Sequence, residues 1–288
     1  MNYFLFLNHP KGEEVYKVSK EREYLLKEHF KRIDTLEVEV VIRGEKYRAL
    51  VDYTAFSNLA NFDCFNCEDP CCADNPTIYE KKTREFVLEN LKKYNELTKN
   101  VDIMLELGKE PEEIMESILI DNAMVPDENV EQEVSLCTCS FKPNNKSTLC
   151  SLHSICLSEG LNVKDIVEVK PIVCSLWPID IISEDDNSLL YITVPDDFTT
   201  GFTIEDYYDT PCINKELAQS SLFRRKNPEG FEEEKYLPII ISYKETLKYS
   251  LGEEFYKKVK ELLIQKELIF KEELDEDEKQ ILKKYKIK

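Results

Sequence analysis

The chain has 288 residues, of which 42% are hydrophobic, with a net charge of −19 and a pI near 4.7. This length can bury a substantial core without disulfides. The strong negative charge disfavours binding to nucleic acid or to anionic lipid. We therefore expect neither a nucleic-acid partner nor a membrane partner.

The first sixty residues predict a small α+β element. Residues 3–7 and 36–42 are rich in β-branched and aromatic residues, which favour strands. The charged stretch 19–31 between them predicts a solvent-facing helix. Residues 43–46 predict a hairpin turn, followed by a return strand at 47–53.

No targeting or membrane segment is predicted. The apolar start, residues 3–7, is too short for the core of a signal peptide. No apolar run approaches the roughly 18 residues that a membrane helix needs. We therefore expect a cytoplasmic protein, in which thiols stay reduced.

A dense group of cysteines follows. Cys64, Cys67, Cys71 and Cys72 fall within nine residues of a polar, proline-containing loop. Such a loop does not need four thiols for packing, so the group predicts a metal site. A redox-active disulfide is the main alternative.

The middle of the chain predicts helices and a connection. Thr77 is expected to cap a helix in which apolar residues recur at three- and four-residue steps, with Glu80 completing a capping box. Residues 111–120 predict a second helix with proline in its first turn. The acidic residues 121–134 predict an irregular connection.

The last third predicts one strand and then helices. Residues 189–194 are typical of a strand flanked by acidic turns. From Pro238 the pattern is helical, and Gly252 is expected to end one helix before the next. The last ten residues are lysine-rich and are expected to fray.

The chemistry of the cysteines limits the metal. A shell of thiolates suits Zn²⁺ or an iron–sulfur cluster, whereas Mg²⁺ and Ca²⁺ prefer oxygen ligands. Adjacent side chains diverge, so we expect Cys71 and Cys72 to serve different metals or different edges of one cluster. Candidates to neutralise excess thiolate charge are Lys142, Lys146 and Lys170.

Other polar residues near the cysteines have ordinary explanations as well as functional ones. Cys156 lies in a helix-like stretch and is expected to be a core residue. His153 follows Cys150 by three residues and is a possible extra ligand, but a structural role is the more common one. Asp63, Glu68 and Asp69 could act in acid–base chemistry, although acidic residues in loops are usually only solvated.

The order of the cysteines resembles the YkgJ-type cysteine-cluster family. The matching motifs are Cys64-x-x-Cys67-x-x-x-Cys71-Cys72, Cys139-Ser140-Phe141, Cys150, the segment 170–178 (KPIVCSLWP) and Pro211-Cys212-Ile213. The chain departs from the family pattern where Ser140 follows Cys139 and where Lys170 replaces the usual arginine. The resemblance covers about residues 60–215.

The resemblance implies a zinc- or iron-chelating protein and a set of eight ligands. These are Cys64, Cys67, Cys71, Cys72, Cys139, Cys150, Cys174 and Cys212. Cys137 and Cys156 do not belong to this ligand set. Trp177 and Pro178 would close the turn after Cys174. Some family members are close to flagellin lysine N-methylases, which makes a protein or peptide substrate a candidate partner.

We therefore predict an α+β protein with a small mixed sheet, helices around a thiolate-rich metal-binding core and helices at the C-terminus. The predicted segments are an N-terminal element (1–60), a cysteine-cluster domain (61–215) and a helical segment (216–288). The predicted function is binding of zinc or of iron, as an iron–sulfur cluster, with no reaction assigned. The alternatives are a metal-dependent lysine N-methylase-like enzyme and a thiol redox protein in which Cys137 and Cys139 react.

Overall fold

The computed structural model describes residues 1–7, 9, 12–67, 80–114, 124–127, 130–135, 140–141, 149–203, 207–226 and 230–269. For residues 124–127, 130–135, 140 and 226 it describes the backbone alone. The chain divides into two compact units. Unit 1 comprises residues 1–7, 16–63 and 176–288, and unit 2 comprises residues 8–15 and 64–175.

Unit 1 contains a mixed sheet of five strands. Their order across the sheet is β1 (Asn2–Tyr3), β9 (Asp180–Ser183), β10 (Leu190–Thr193), β3 (Glu45–Val51) and β2 (Leu36–Ile42). Strand β10 runs parallel to β3, and the other neighbouring pairs are antiparallel. The chain therefore returns to the sheet after passing through unit 2.

The β2–β3 hairpin follows the predicted pattern closely. Val38, Val40 and Ile42 are buried, and Glu37 and Glu39 face solvent, as the two-residue period of a strand requires. Across the hairpin, Glu37 pairs with Arg48 at 2.7 Å. The turn residues Arg43 and Gly44 have φ values of 52° and 87°, a conformation that matches the twist of a tight hairpin.

Helix α2 (Lys20–Arg32) confirms the predicted helix between the first strands. The Ser19 hydroxyl accepts a hydrogen bond from the Arg22 amide at 3.3 Å and so caps the helix. Leu26 and Phe30, one turn apart, are buried against the sheet residues Ile182 and Tyr191. Leu26 and Phe30 are the buried residues of the helix, and most of its charged residues are exposed or partly exposed.

The C-terminal part of unit 1 is helical, as predicted. Its helices are α10 (Lys215–Gln219), α11 (Ser221–Lys226), α12 (Ile239–Ser242), α13 (Lys244–Leu251) and α14 (Glu253–Gln265), and the short strands β4 (Leu59–Ala60) and β11 (Leu237–Pro238) pair beside them. Gly252 ends α13 with φ +100°, a region that favours glycine, which confirms its predicted role. The lysine-rich end lies outside the described residues.

Unit 2 is mainly helical. It contains α3 (Lys81–Glu89), α4 (Leu91–Thr98), α5 (Asn100–Glu106), α6 (described over 111–114), α7 (Ser151–Ser158) and α8 (Val163–Val169). Two further helices, α1 (Glu13–Tyr16) and α9 (Ile172–Leu176), lie where the chain passes between units. The main apolar cluster of unit 2 contains Val87, Tyr94 and Leu152. The helical period of the sequence predicts the burial of Val87 and Tyr94.

Three local predictions differ from the structure. Residues 121–134 were expected to be irregular, but β5 (Met124–Asp127) and β6 (Val130–Ser135) form a hairpin there. Alternating valines and acidic residues in β6 are compatible with a strand, and the acidic composition hid that pattern. The first strand ends at Tyr3, because residues 4–6 form a 3₁₀ turn. Helix α3 begins at Lys81, after Glu80, while Thr77 lies outside the described residues.

The predicted α+β class is confirmed in its coarse form: a five-stranded mixed sheet combines with many helices, including those at the C-terminus. Strands β7 (Ser140–Phe141) and β8 (Leu149–Cys150) complete the described elements as a short antiparallel pair. Over the described part of the chain, none of the helices is both long enough and apolar enough to cross a membrane.

Candidate metal centre

Five of the eight predicted ligands lie in the described residues: Cys64, Cys67, Cys150, Cys174 and Cys212. The other three, Cys71, Cys72 and Cys139, lie outside them, as do Cys137, Glu68, Asp69, Lys142 and Lys146. The expected divergence of Cys71 and Cys72 therefore stays a prediction. No disulfide joins any two of the six described cysteines.

The first pair of cysteines sits on a tight turn. Residues 64–66 form a 3₁₀ turn, and the Cys67 amide donates a hydrogen bond to the Cys64 carbonyl oxygen at 3.4 Å. Cys64 is exposed, whereas Cys67 is buried. A turn of this kind holds the two residues close in space, as the Cys-x-x-Cys spacing predicts.

The second sulfur-bearing segment is the start of α7. Cys150 directly precedes the helix, is partly buried and packs against the apolar cluster of unit 2. Cys156, two turns further on, is fully buried with Ile166 and Val169. Burial, helped by the nearby Cys150, raises the pKa of the Cys156 thiol to about 11. It is therefore protonated at neutral pH, which confirms the predicted core role.

These two segments meet through a pair of rings. The Phe65 ring, between Cys64 and Cys67, lies 5.6 Å from the imidazole of His153 on α7, measured between centroids. Burial, together with the positive charge of Lys170, lowers the pKa of His153 to about 4. His153 is thus neutral at pH 7, and its ring joins α7, the helix that follows Cys150, to the Cys64–Cys67 turn.

The segment that carries Cys174 is anchored in the same unit. The Ile172 amide, at the start of α9, donates a hydrogen bond to the Glu80 carboxylate at 2.6 Å. The Thr83 hydroxyl donates to the Val169 carbonyl oxygen, also at 2.6 Å. The beginning of α3, soon after the first cysteine group, is therefore bonded to the stretch that leads to Cys174.

Cys212 belongs to unit 1. Its carbonyl oxygen accepts a hydrogen bond from the Asn61 amide at 2.8 Å, and the Tyr236 hydroxyl donates to the preceding Pro211 carbonyl oxygen at 2.6 Å. Asn214 then caps α10 through its side chain. These bonds hold the backbone around Cys212 in a defined conformation.

The described donors have the chemistry that zinc or an iron–sulfur cluster requires, because all five are thiols. Within the described ranges, however, no group of three or more His, Cys, Asp or Glu residues is placed to hold a metal ion. A complete coordination shell is therefore not present among these residues alone. Lys170 lies within electrostatic range of both His153 and Cys156, as its influence on their pKa values indicates.

Other residues that the sequence analysis named lie where the local backbone conformation is fixed by hydrogen bonds. The Asp63 carboxylate accepts a hydrogen bond from the Phe231 amide at 3.0 Å, at a residue with φ 54°. Asp63 therefore supports an unusual backbone conformation. The turn predicted after Cys174 is present, since the Ile179 amide bonds to the Leu176 carbonyl oxygen at 2.7 Å across Trp177 and Pro178.

One polar cluster was missed by the sequence reasoning. In unit 1, His29 Nε2 lies 3.0 Å from Asp52 Oδ2, and their side chains are only 10% and 6% exposed. The hydroxyls of Thr54 and Thr193 also donate to this carboxylate, at 2.8 and 3.2 Å. The signal available was weak: a single acidic residue near the end of the return strand predicted over residues 47–53.

Comparison of the chain with models of known protein families, with curated proteins and with solved structures found no match. The resemblance to the cysteine-cluster family therefore stays a prediction that depends on the spacing of the cysteines.

Proposed function

We propose that this protein binds zinc, or iron as an iron–sulfur cluster, through a centre built from cysteine thiolates. The predicted ligands are the eight cysteines in family order: Cys64, Cys67, Cys71, Cys72, Cys139, Cys150, Cys174 and Cys212. The observation that carries the proposal is the contact between Phe65 and His153, which brings the Cys64–Cys67 turn to the helix that follows Cys150.

The bonding of α3 to the Cys174 segment supports the same proposal. Glu80 and Thr83 bond to Ile172 and Val169, so the chain that leads into Cys174 is held at the start of the helix that follows the first cysteine group. Residues far apart in sequence are thus gathered within unit 2. A polynuclear or two-metal centre needs such a gathering, because its ligands must come from several segments.

Charge compensation also supports a thiolate centre. Several thiolates around a divalent metal carry excess negative charge, which a nearby cation stabilises. Lys170 lies within electrostatic range of His153 and Cys156, which both belong to α7, the helix that directly follows Cys150. When bound, such a metal centre links distant segments and stabilises the fold.

The other two hypotheses gain no support from the described residues. The pair proposed for redox chemistry, Cys137 and Cys139, lies outside them. A lysine N-methylase-like activity depends on the family analogy alone, and a shared fold or family does not by itself establish a reaction.

Replacing Cys67 by Ser is expected to remove most of the bound metal or to halve it if two sites exist. Serine oxygen is a much poorer ligand than thiolate for zinc or an iron–sulfur cluster. Metal per protein chain, measured by elemental analysis after anaerobic purification, is the readout.

Cys156→Ser is the matched control, because it also places a hydroxyl at a buried cysteine position but removes no predicted ligand. The control is expected to keep the full metal content of the native chain. Equal metal content in Cys67→Ser and the native chain would contradict the assignment of Cys67 as a ligand.

A further inference from the structure

The stretch from Ser188 to Asn214 has an unusual composition. Its 27 residues include five acidic and five aromatic residues, with no lysine or arginine. In a chain that contains 38 lysines and arginines, this absence leaves one region of unit 1 with negative charge and aromatic rings together.

Two of these aromatic rings are strongly exposed. Phe198 is 71% exposed and Tyr208 is 56% exposed. The Tyr208 hydroxyl oxygen lies 3.5 Å from the Asp197 carbonyl oxygen, so the two rings belong to neighbouring loops. The Tyr207 and Tyr208 rings are 5.7 Å apart and inclined at 72°, which presents two ring orientations on one surface.

Hydrogen bonds hold the backbone of the described residues that carry these rings. Asp196 Oδ1 accepts from the amides of Phe198 and Thr199, at 2.9 and 2.7 Å, and the Thr199 hydroxyl accepts from the Asp196 amide at 2.8 Å. The Tyr207 amide donates to the Thr200 hydroxyl at 3.3 Å. An exposed ring on a fixed loop loses little entropy when it binds a partner.

Negative charge surrounds the rings. Burial raises the pKa of Tyr207, and the carboxylates of Asp197, Glu216 and Asp196 raise it further, so all three lie within electrostatic range of its hydroxyl. We call the set Phe198, Tyr207, Tyr208, Asp196, Asp197 and Glu216 the aromatic–acidic surface.

The neighbouring cations are already paired with acids. Helix α2 contacts Phe198 through the His29 ring. On the same helix, Lys31 and Arg32 both pair with Glu28. Lys215, directly after the stretch, pairs with Glu233 at 3.0 Å. Because Lys31 and Arg32 share one glutamate, they leave one positive charge against the three carboxylates of the aromatic–acidic surface. The surface therefore keeps a net negative charge that a positively charged partner would neutralise.

The His29 imidazole below Phe198 does not change this balance. Its ring centroid lies 5.7 Å from that of Phe198, and it is paired with Asp52. While Asp52 is ionised, the pair carries either no net charge or a negative charge. It thus supports the Phe198 ring without repelling a cation.

We propose that the aromatic–acidic surface docks an arginine- or lysine-rich segment of a partner protein. The exposed rings offer faces to guanidinium or ammonium groups, and the carboxylates offer ion pairs beside them. Arginine suits this combination best, because it stacks on rings while donating hydrogen bonds to carboxylates. The proposal goes beyond the metal centre and does not depend on it.

The test uses the full chain and a fluorescein-labelled peptide of alternating Arg and Ser, with binding measured by fluorescence anisotropy. The native chain is expected to bind this peptide, and added salt is expected to weaken binding. The double variant Phe198→Ala/Tyr208→Ala is expected to weaken it about tenfold, because both ring faces are lost. Phe198→Leu, which keeps the apolar bulk, is expected to weaken it less.

Two matched controls separate the surface from general effects. Leu222→Ala removes a 60% exposed apolar side chain elsewhere in unit 1 and is expected to leave binding unchanged. Asp197→Asn is expected to weaken binding about threefold, while Glu254→Gln, which removes the same charge from α14, leaves it unchanged.

Failure of the native chain to bind the peptide would overturn the proposal. So would equal binding by the native chain and the double variant, or equal binding of a control peptide of alternating Glu and Ser. Thermal melting of each variant, monitored by circular dichroism, is expected to match the native chain, because the replaced side chains are exposed.

Discussion

Replacing Phe255 by Ala is expected to lower the free energy of unfolding of unit 1 by about 3–5 kcal/mol. Phe255 on α14 is 0% exposed, and its ring lies 5.6 Å from that of Phe56, which is also fully buried. The substitution removes buried apolar area, leaves a cavity and breaks an edge-to-face ring contact. A loss of this size is a large part of the roughly 5–15 kcal/mol that stabilises a domain.

Urea unfolding followed by tryptophan fluorescence measures this loss. Trp177 is the single tryptophan of the chain and belongs to unit 1, so its fluorescence reports on that unit. Leu222→Ala, at an exposed position, is expected to change the free energy of unfolding by no more than about 0.5 kcal/mol. A loss below about 1 kcal/mol for Phe255→Ala would show that α14 is not packed as described.

Replacing Asp52 by Ala is expected to cost about 3–5 kcal/mol of unfolding free energy. The substitution leaves the donors of His29, Thr54 and Thr193 without their common acceptor. Thr193 is buried, and the other two are partly buried. Buried polar groups that lose their partner are costly because water cannot replace it. The control Glu254→Ala removes an exposed carboxylate on α14 and is expected to have little effect.

The same carboxylate predicts a pH dependence. Burial raises the pKa of Asp52, but the hydrogen bonds from His29 and Thr54 and the charge of His29 outweigh it, so the pKa lies below its usual range. A lowered pKa in the folded state contributes stability above the unfolded pKa of about 3.9, and this is lost as the pH falls through the folded value.

We therefore expect the stability difference between the native chain and Asp52→Asn to be largest above about pH 4 and to shrink below it. Urea unfolding of both proteins between about pH 6 and about pH 3 measures this difference. A difference that stays constant over this range would mean that Asp52 is not held ionised by its partners.

Local patterns were sufficient to predict several elements. Strand β2 occupies the predicted residues Leu36–Ile42, because its alternation of apolar and acidic residues has the period of a half-buried strand. Helix α2 (Lys20–Arg32) occupies the charged stretch 19–31 that was predicted to be helical. Gly252 ends α13 because a positive φ there favours glycine.

Features that depend on tertiary structure could not be predicted in this way. Strand β9 has four buried residues and no alternation, so nothing local distinguished it from a loop or a short helix. The parallel pairing of β10 with β3 and the bond between His29 and Asp52 join residues from distant parts of the chain. The same holds for the contact between Phe65 and His153, on which the metal proposal depends.

The candidate site was predicted from the spacing of the cysteines. The structure shows the burial and the neighbouring contacts of the cysteines that it describes. Cys156 could be assigned to the core from its helical context, and it is fully buried there. The choice between zinc and iron could not be made, because both metals accept the same thiolate ligands.

Elemental analysis combined with a visible absorption spectrum of the anaerobically purified native protein tests the metal centre most directly. We predict bound zinc or iron, with visible absorption in the case of an iron–sulfur cluster, and fewer than the ten thiols of the chain reacting before denaturation. A protein that contains neither zinc nor iron, and in which every thiol except that of the buried Cys156 reacts under native conditions, would contradict the metal centre.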